Sequence, residues 1–265
     1  MFKIGIIGIG NMGEAILNGI LKNTNIKPEQ IIVSDVNSER VNFIVNKYSV
    51  AGTDNNQRLV KLSEIIFIVV KPKDFEKLAS SIKQHIAKKI LISVMAGVRI
   101  KTIKDILSDG YIVRIMPNTA ALVGESATAV AFEETFPEDK KKEVLNLINS
   151  FGKVFVIDEV LMDAFTGLAG SGPAYVFNIL DAFAQAGVKQ GFSYQQALDI
   201  ALQTFYGSVK LLIETKEHPA VLRDKVTSPA GTTIYGLHEF EKGAFRDVII
   251  NAIESATKRS KELSK

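Results

Sequence analysis

The run Gly8-Ile9-Gly10-Asn11-Met12-Gly13 spaces three glycines as required to bring a pyrophosphate against a bare backbone. Gly8 suits a tight turn, Gly10 lets phosphates approach, and Gly13 allows a helix to lie close on the preceding strand. The free N–H groups at the start of that helix would then donate to phosphate oxygens. An acidic residue, Asp35, stands 22 residues after Gly13, where such sites place a carboxylate on the adenosine ribose. That carboxylate suits the 2′-hydroxyl of NAD and repels the 2′-phosphate of NADP. Asn37, Ser38 and Arg40 follow at once. They could donate to a phosphate, or form only the cap and first turn of the next helix. The residues leave NADPH and NADH both open.

Other chemistries lack their residues. With no cysteine there is no disulfide, no thiolate zinc site and no cysteine nucleophile. The three histidines, His85, His218 and His238, are not at metal-ligand spacing, so no metal is expected and each reads as a satisfied surface or loop residue. Lys and Arg number 32 against 29 Asp and Glu, a net +3 that is too even to suggest nucleic acid. The basic tail, Lys258, Arg259, Lys261 and Lys265, reads as a solvated helix end. The longest strongly apolar run, Ile65–Val70, is far short of the ~20 residues a membrane-spanning helix needs. No secretory signal opens the chain, and a soluble cytoplasmic protein is expected.

The elements that must position the glycine turn are visible in the patterning. Phe2–Gly8, Gln30–Asp35, Glu64–Val70, Ile90–Met95 and Ile112–Met116 read as strands buried on both faces. Asn11–Asn23 reads as a helix with Ala15, Ile16, Gly19 and Ile20 on one face, and Pro72 suits the opening of another. Strands separated by helices imply a parallel sheet. Gly124–Phe132 and Lys153–Val156 add later strands around a helix at Pro137–Phe151. Beyond about Asp158 only helical patterns continue, notably Ser171–Gln190 and Tyr194–Thr215. The expected fold is therefore α/β: a Rossmann-type parallel-sheet domain over 1–157, then an all-helical domain over 158–265. Ala182, Ala184, Ala186 and Gly187 are small enough to admit another helix closely. Loops at the carboxyl ends of the strands are the expected ligand positions. Val70-Lys71-Pro72, Ala96-Gly97-Val98 and Met116-Pro117-Asn118-Thr119 fall there, and Asn118 offers an amide that could meet a carboxamide.

With these segments stand two more, Gly170-Ser171-Gly172-Pro173-Ala174-Tyr175-Val176-Phe177 and Asp224-Lys225-Val226-Thr227-Ser228-Pro229-Ala230-Gly231-Thr232-Thr233. In order and spacing, and joined by Arg114 before Ile115-Met116-Pro117-Asn118-Thr119, they make the whole chain resemble the pyrroline-5-carboxylate reductases. The resemblance implies reduction of L-1-pyrroline-5-carboxylate, a cyclic imine carboxylate, to L-proline by NADPH or NADH in the last step of proline biosynthesis. It also implies a homodimer interlocked through the C-terminal helices, an active site at that interface, and assemblies up to a decamer of five dimers. Residue by residue, Ile7, Gly8, Ile9, Gly10, Asn11 and Met12 would hold the pyrophosphate. Asp35 and Asn56 would face the adenosine ribose. Val69, Val70, Lys71 and Pro72 with Ala96 would line the nucleotide, and Asn118 would lie near the nicotinamide. Ser228, Thr232 and Thr233 would hold the substrate carboxylate, with Thr233 relaying a proton to nitrogen. Two positions depart from the family pattern: Ala230 replaces a usual glycine and Ala120 a usual proline. Alanine at 230 would be strained if the turn needs a positive φ, and Ala120 should loosen its turn.

Two other readings use the same two-domain plan. A hydroxyacid dehydrogenase needs a placed acid–base, for which Lys189 and Lys210 are available. A non-catalytic nucleotide-binding protein would bind the cofactor without turnover.

Overall fold

A computed structural model describes residues 1–264. The strands are β1 (Phe2–Ile7), β2 (Ile31–Ser34), β3 (Ala51–Thr53), β4 (Ser63–Ile68), β5 (Ile90–Ser93), β6 (Tyr111–Met116), β7 (Ser126–Phe132) and β8 (Gly152–Val156). Among them run helices α1 (Asn11–Asn23), α2 (Ser38–Tyr48), α3 (Asn56–Leu62), α4 (Phe75–Ile82), α5 (Ile100–Leu107) and α6 (Glu138–Asn149). Then follow α7 (Met162–Phe165), α8 (Gly172–Lys189), α9 (Tyr194–Thr215), α10 (Pro219–Lys225), α11 (Thr232–Lys242) and α12 (Phe245–Leu263). Lys265, the last residue of the basic tail, lies outside the described residues. Two compact units are present: Met1–Ser171 with the C-terminal residues from Ser255, and Gly172–Glu254.

In the first unit one eight-stranded sheet runs in the order β3-β2-β1-β4-β5-β6-β7-β8. Strand alternation explains the apolar runs. Along β4, Ile65 and Phe67 enter one core with Ile4, Ile6, Ile16 and Ile20, while Ile66 and Ile68 enter the other with Ile7, Leu59, Leu78 and Leu91. A sheet with helices on both faces requires both sets to be apolar. The order reverses between β1 and β4, so their carboxyl ends flank the crevice where such sheets bind ligands.

Two features differ from the expected parallel sheet. β7 pairs with β6 antiparallel, Ile115 opposite Val130, because only a short turned segment at Thr119–Val123 joins them. A parallel crossover needs about a dozen residues or more. β3, which the patterning does not reveal, is three residues long and contains Gly52, too short to carry a periodic signal.

The second unit is helical. Ser193 and Gln196 form a reciprocal capping box that starts α9. Gly187 of α8 sits where a Cβ would lie 2.5 Å from the Ala197 Cβ, so the small residue does bring two helices together. Phe183 and Phe205 meet edge-to-face at 5.0 Å. Yet of α8 and α9 only Ala184, Ala197 and Ala201 are buried, while Phe177, Tyr206, Val209 and Ile213 are exposed. No helix among the described residues is long and apolar enough to cross a membrane.

Candidate active site

The glycine turn performs three separate tasks. Gly8 has φ +92°, and a Cβ there would lie 2.5 Å from the Val69 carbonyl, so both torsion and space demand glycine. At Gly13 a Cβ would fall 2.2 Å from the Gly8 carbonyl oxygen; the bare backbone lets α1 start directly on the turn. Gly10 instead faces open space, with nothing within 4 Å of a would-be Cβ. No side chain caps α1, so its first N–H groups are available to an anion. These features fit a dinucleotide pyrophosphate.

The contrast predicts how two substitutions separate. Gly10→Ala should fold as stably as the parent yet weaken dinucleotide affinity about tenfold, since its methyl enters only ligand space. Gly13→Ala should lose about 1–3 kcal/mol of stability by overpacking. Thermal unfolding and nucleotide titration of both variants check this.

At the adenosine end, Asp35 follows β2. Its Oδ2 accepts the Ile9 N–H at 2.8 Å and its Oδ1 the Asn37 N–H at 3.0 Å. Asn37 is the N-cap of α2, accepting the Arg40 N–H at 3.1 Å. Arg40 donates Nε–H to the Ile9 carbonyl at 2.8 Å and is also paired with Glu14. Lys47 and Tyr48 each donate to Glu14 at 2.9 Å. Burial opposes ionisation of Glu14, but hydrogen bonds from Lys47, Arg40 and Tyr48 outweigh it and hold the carboxyl at about 2, below its ordinary 4.5. A lowered folded value means this cluster stabilises the fold above about pH 4.5 and loses that contribution as pH falls towards 2. Asn56, at the start of α3, accepts the Ser34 hydroxyl proton at 2.7 Å.

The remaining expected residues of the first unit lie in neighbouring strand-end loops. The Val69 N–H donates to the Ile7 carbonyl at 2.8 Å; Val69 and Val70 are half-buried, whereas Lys71, Pro72 and Ala96 are exposed. Ile7 and Ile9 bury their side chains, leaving only backbone to the site. Asn118 is already engaged: its Oδ1 accepts the Ala120 N–H at 3.1 Å and its Nδ2 donates to the Ala169 carbonyl at 3.0 Å. One amide proton remains.

Pairings that the sequence does not announce complete this end of the sheet. Arg114 of β6 is buried and pairs with Glu159 at 3.0 Å. Glu159 also accepts the Ile100 N–H at 2.7 Å, fixing the start of α5 after the Ala96-Gly97-Val98 loop. Asp163 accepts hydroxyl protons from Ser260 at 2.6 Å and Ser264 at 2.9 Å. That anchors the end of α12, where a Cβ on Gly97, at φ +77°, would lie 2.9 Å from the Leu263 carbonyl. No local pattern announces these pairs. Glu14 carries only the weak signal of an acidic residue in a helix's first turn.

The second unit holds the other expected residues. The Gly231 N–H donates to the Ser228 carbonyl at 3.1 Å, closing a turn over Ser228–Gly231. Gly231 then caps α11 without any side-chain hydrogen bond. Ser228, Thr232 and Thr233 are therefore not spent as caps, and the first N–H groups of α11 stand with their hydroxyls. A groove of about 570 Å³ nearby is lined by Arg223, Thr227, Ala230, Ile234, Tyr235 and His238 but not by these three.

Residues 159–263 match the family model described as pyrroline-5-carboxylate reductase dimerisation, and residues 3–97 match that of NADP oxidoreductase, coenzyme F420-dependent. A pyrroline-5-carboxylate reductase of Methanosarcina acetivorans is 40% identical over 99% of this chain and 98% of its own length. The chain belongs to the pyrroline-5-carboxylate reductase family. The crystal structure of Plasmodium falciparum pyrroline carboxylate reductase with NADP bound superposes with a TM-score of 0.91 at 32% identity, covering 100% of this chain and 98% of that one. The structure of a Coxiella burnetii pyrroline-5-carboxylate reductase gives 0.93 at 31% identity, over 100% and 99%.

The two departures from the pyrroline-5-carboxylate reductase pattern have different outcomes. At Ala120 the N–H, which a proline would lack, donates to the Asn118 side chain and ties that turn. Ala230 does adopt a positive φ, +57°, following Pro229 at the position where type II turns favour glycine. Left-handed alanine costs about 1–2 kcal/mol, partly offset by the greater unfolded-state freedom of glycine. Ala230→Gly should accordingly stabilise the protein by about 0.5–1 kcal/mol, read from denaturant unfolding.

Proposed function

We infer that this chain is an NAD(P)H-dependent pyrroline-5-carboxylate reductase, reducing L-1-pyrroline-5-carboxylate to L-proline, the closing step of proline biosynthesis. The observation that carries the reading is the end-to-end match to a reductase at 40% identity. When bound, the reduced nicotinamide supplies the hydride that adds to the imine carbon.

The chain's own residues have mainly binding tasks. The backbone of Ile7 to Met12 with the α1 N-terminus would hold the pyrophosphate, Asp35 and Asn56 the adenosine ribose. Val69–Pro72 and Ala96 would border the nucleotide, and Asn118 would keep the turn beside the nicotinamide. Ser228, Thr232 and Thr233, with the free N–H groups opening α11, would orient the substrate carboxylate; a helix N-terminus favours that charge. The Thr233 hydroxyl would pass a proton to the imine nitrogen while the C=N double bond becomes a single bond. Positioning and electrostatics supply the rate enhancement, and no covalent intermediate is required.

Residues 1–157 form the nucleotide-binding part of this reading and 158–265 the substrate and dimerisation part. The exposed apolar residues along α8 and α9 are of the kind that marks an interaction surface, which supports a homodimer through these helices; a decamer of five dimers is the larger assembly proposed. The test is oxidation of NADPH and of NADH by purified protein with pyrroline-5-carboxylate, with proline identified as product. Nucleotide binding without turnover of the imine would overturn the assignment.

A further inference from the structure

The adenosine-ribose end of the site holds an arrangement that bears on which nucleotide it takes. Asp35 is fixed at the carboxyl end of β2 by two backbone N–H groups, one from the glycine turn itself. Each N–H occupies one lone pair, so both oxygens can still accept from a ribose hydroxyl, while an ionised carboxylate donates nothing. A 2′-phosphate brought to the same place would meet like charge, which a nearby cation would offset most strongly.

Arg40 is the cation at hand, and it is committed elsewhere. Its Nε–H is spent on the Ile9 carbonyl and one of its two terminal nitrogens, Nη2, on Glu14. Glu14 is mostly buried and gathers Lys47 as well, at 2.9 Å. One carboxylate on α1 thus holds two cations of α2 and balances the Arg40 charge; Nη1 alone of its nitrogens has no partner among the described residues, and turning the guanidinium fork onto a phosphate would mean leaving Glu14 and the glycine turn. The other residues of the turn, Val36, Asn37 and Ser38, carry no charge; Val36 is fully exposed, and Asn37 already caps α2.

We propose that this subsite is built for an unphosphorylated 2′-hydroxyl, with Asp35 as the specificity-determining acceptor and Glu14 as the positioning residue that withholds Arg40 from a 2′-phosphate. The inference rests on the nucleotide-binding reading above and adds to it a direction: NADH over NADPH.

Calorimetric titration of the full-length protein with ADP-ribose and with 2′-phospho-ADP-ribose tests this without hydride transfer. The wild-type protein should bind ADP-ribose at least about tenfold more tightly, about 1.4 kcal/mol, and NADH over NADPH by a similar ratio. Asp35→Ser should lower affinity for ADP-ribose and raise it for the phosphorylated fragment. Glu14→Gln should raise affinity for 2′-phospho-ADP-ribose alone. Equal or tighter binding of the phosphorylated fragment by the wild type would overturn the proposal, even if neither variant folds. So would a Glu14→Gln protein that weakens towards both fragments equally, since the cluster would then serve only the fold. Failure of the reductase assignment reads differently: the preference would persist while the imine is not turned over. Only if neither fragment bound would the site itself be removed.

Discussion

Glu159→Ala is expected to destabilise the first unit by about 3–5 kcal/mol, the cost of removing one partner from a buried ion pair. The Arg114 side chain is 3% exposed and Glu159 is its ion-pair partner. The Arg114 Nε has no hydrogen-bond partner among the described residues, so the guanidinium has little else to rely on. Alanine at 159 would strand that charge in the core and free the Ile100 N–H at the start of α5. Because Glu159 is itself 28% exposed, water reaches part of the pair and the lower end of the range is expected. The reciprocal change should differ. Arg114→Met removes the buried charge and leaves a carboxylate that water can solvate, so its loss should be clearly smaller. Equilibrium denaturation of both variants measures the asymmetry; equal losses would mean that the pair is not governed by the burial of Arg114.

Thr233→Val should lower kcat by about 100-fold, the lower end of what placed proton transfer contributes, with little change in unfolding midpoint. Valine conserves the shape, Thr233 is only half-buried, and its hydroxyl caps nothing, so the fold has small stake in the oxygen. Thr233→Ser keeps the hydroxyl and should recover most of the rate. Steady-state kinetics with pyrroline-5-carboxylate separates two roles for the same atom. A fall in kcat supports the proton relay. A rise in KM with kcat unchanged would mean that the hydroxyl holds the carboxylate and moves no proton.

Much of this was legible in the chain because it depends on residues close in sequence. The six-residue glycine run specifies turn, phosphate approach and helix contact together, and the structure gives each glycine a distinct surrounding. Apolar runs such as Ile65–Ile68 announce strands covered on both faces because successive side chains point oppositely. Even the strain at Ala230 is foreshadowed, by the glycine that the family pattern places at that position. Asp35 was legible as a residue, but its meaning was not: alone it argued for NAD while Arg40 argued for NADP.

Only the tertiary structure decided what Arg40 does, by placing Glu14, 26 residues earlier, against it. Arg114 with Glu159 and Asp163 with Ser260 are separated by 45 and 97 residues, and β7 turned antiparallel because its connection is too short to cross over. Periodicity and turn chemistry record a residue's relation to neighbours a few positions away. A charge finds its partner through the folding of whole elements, and a single sequence holds no local mark of which carboxylate that will be.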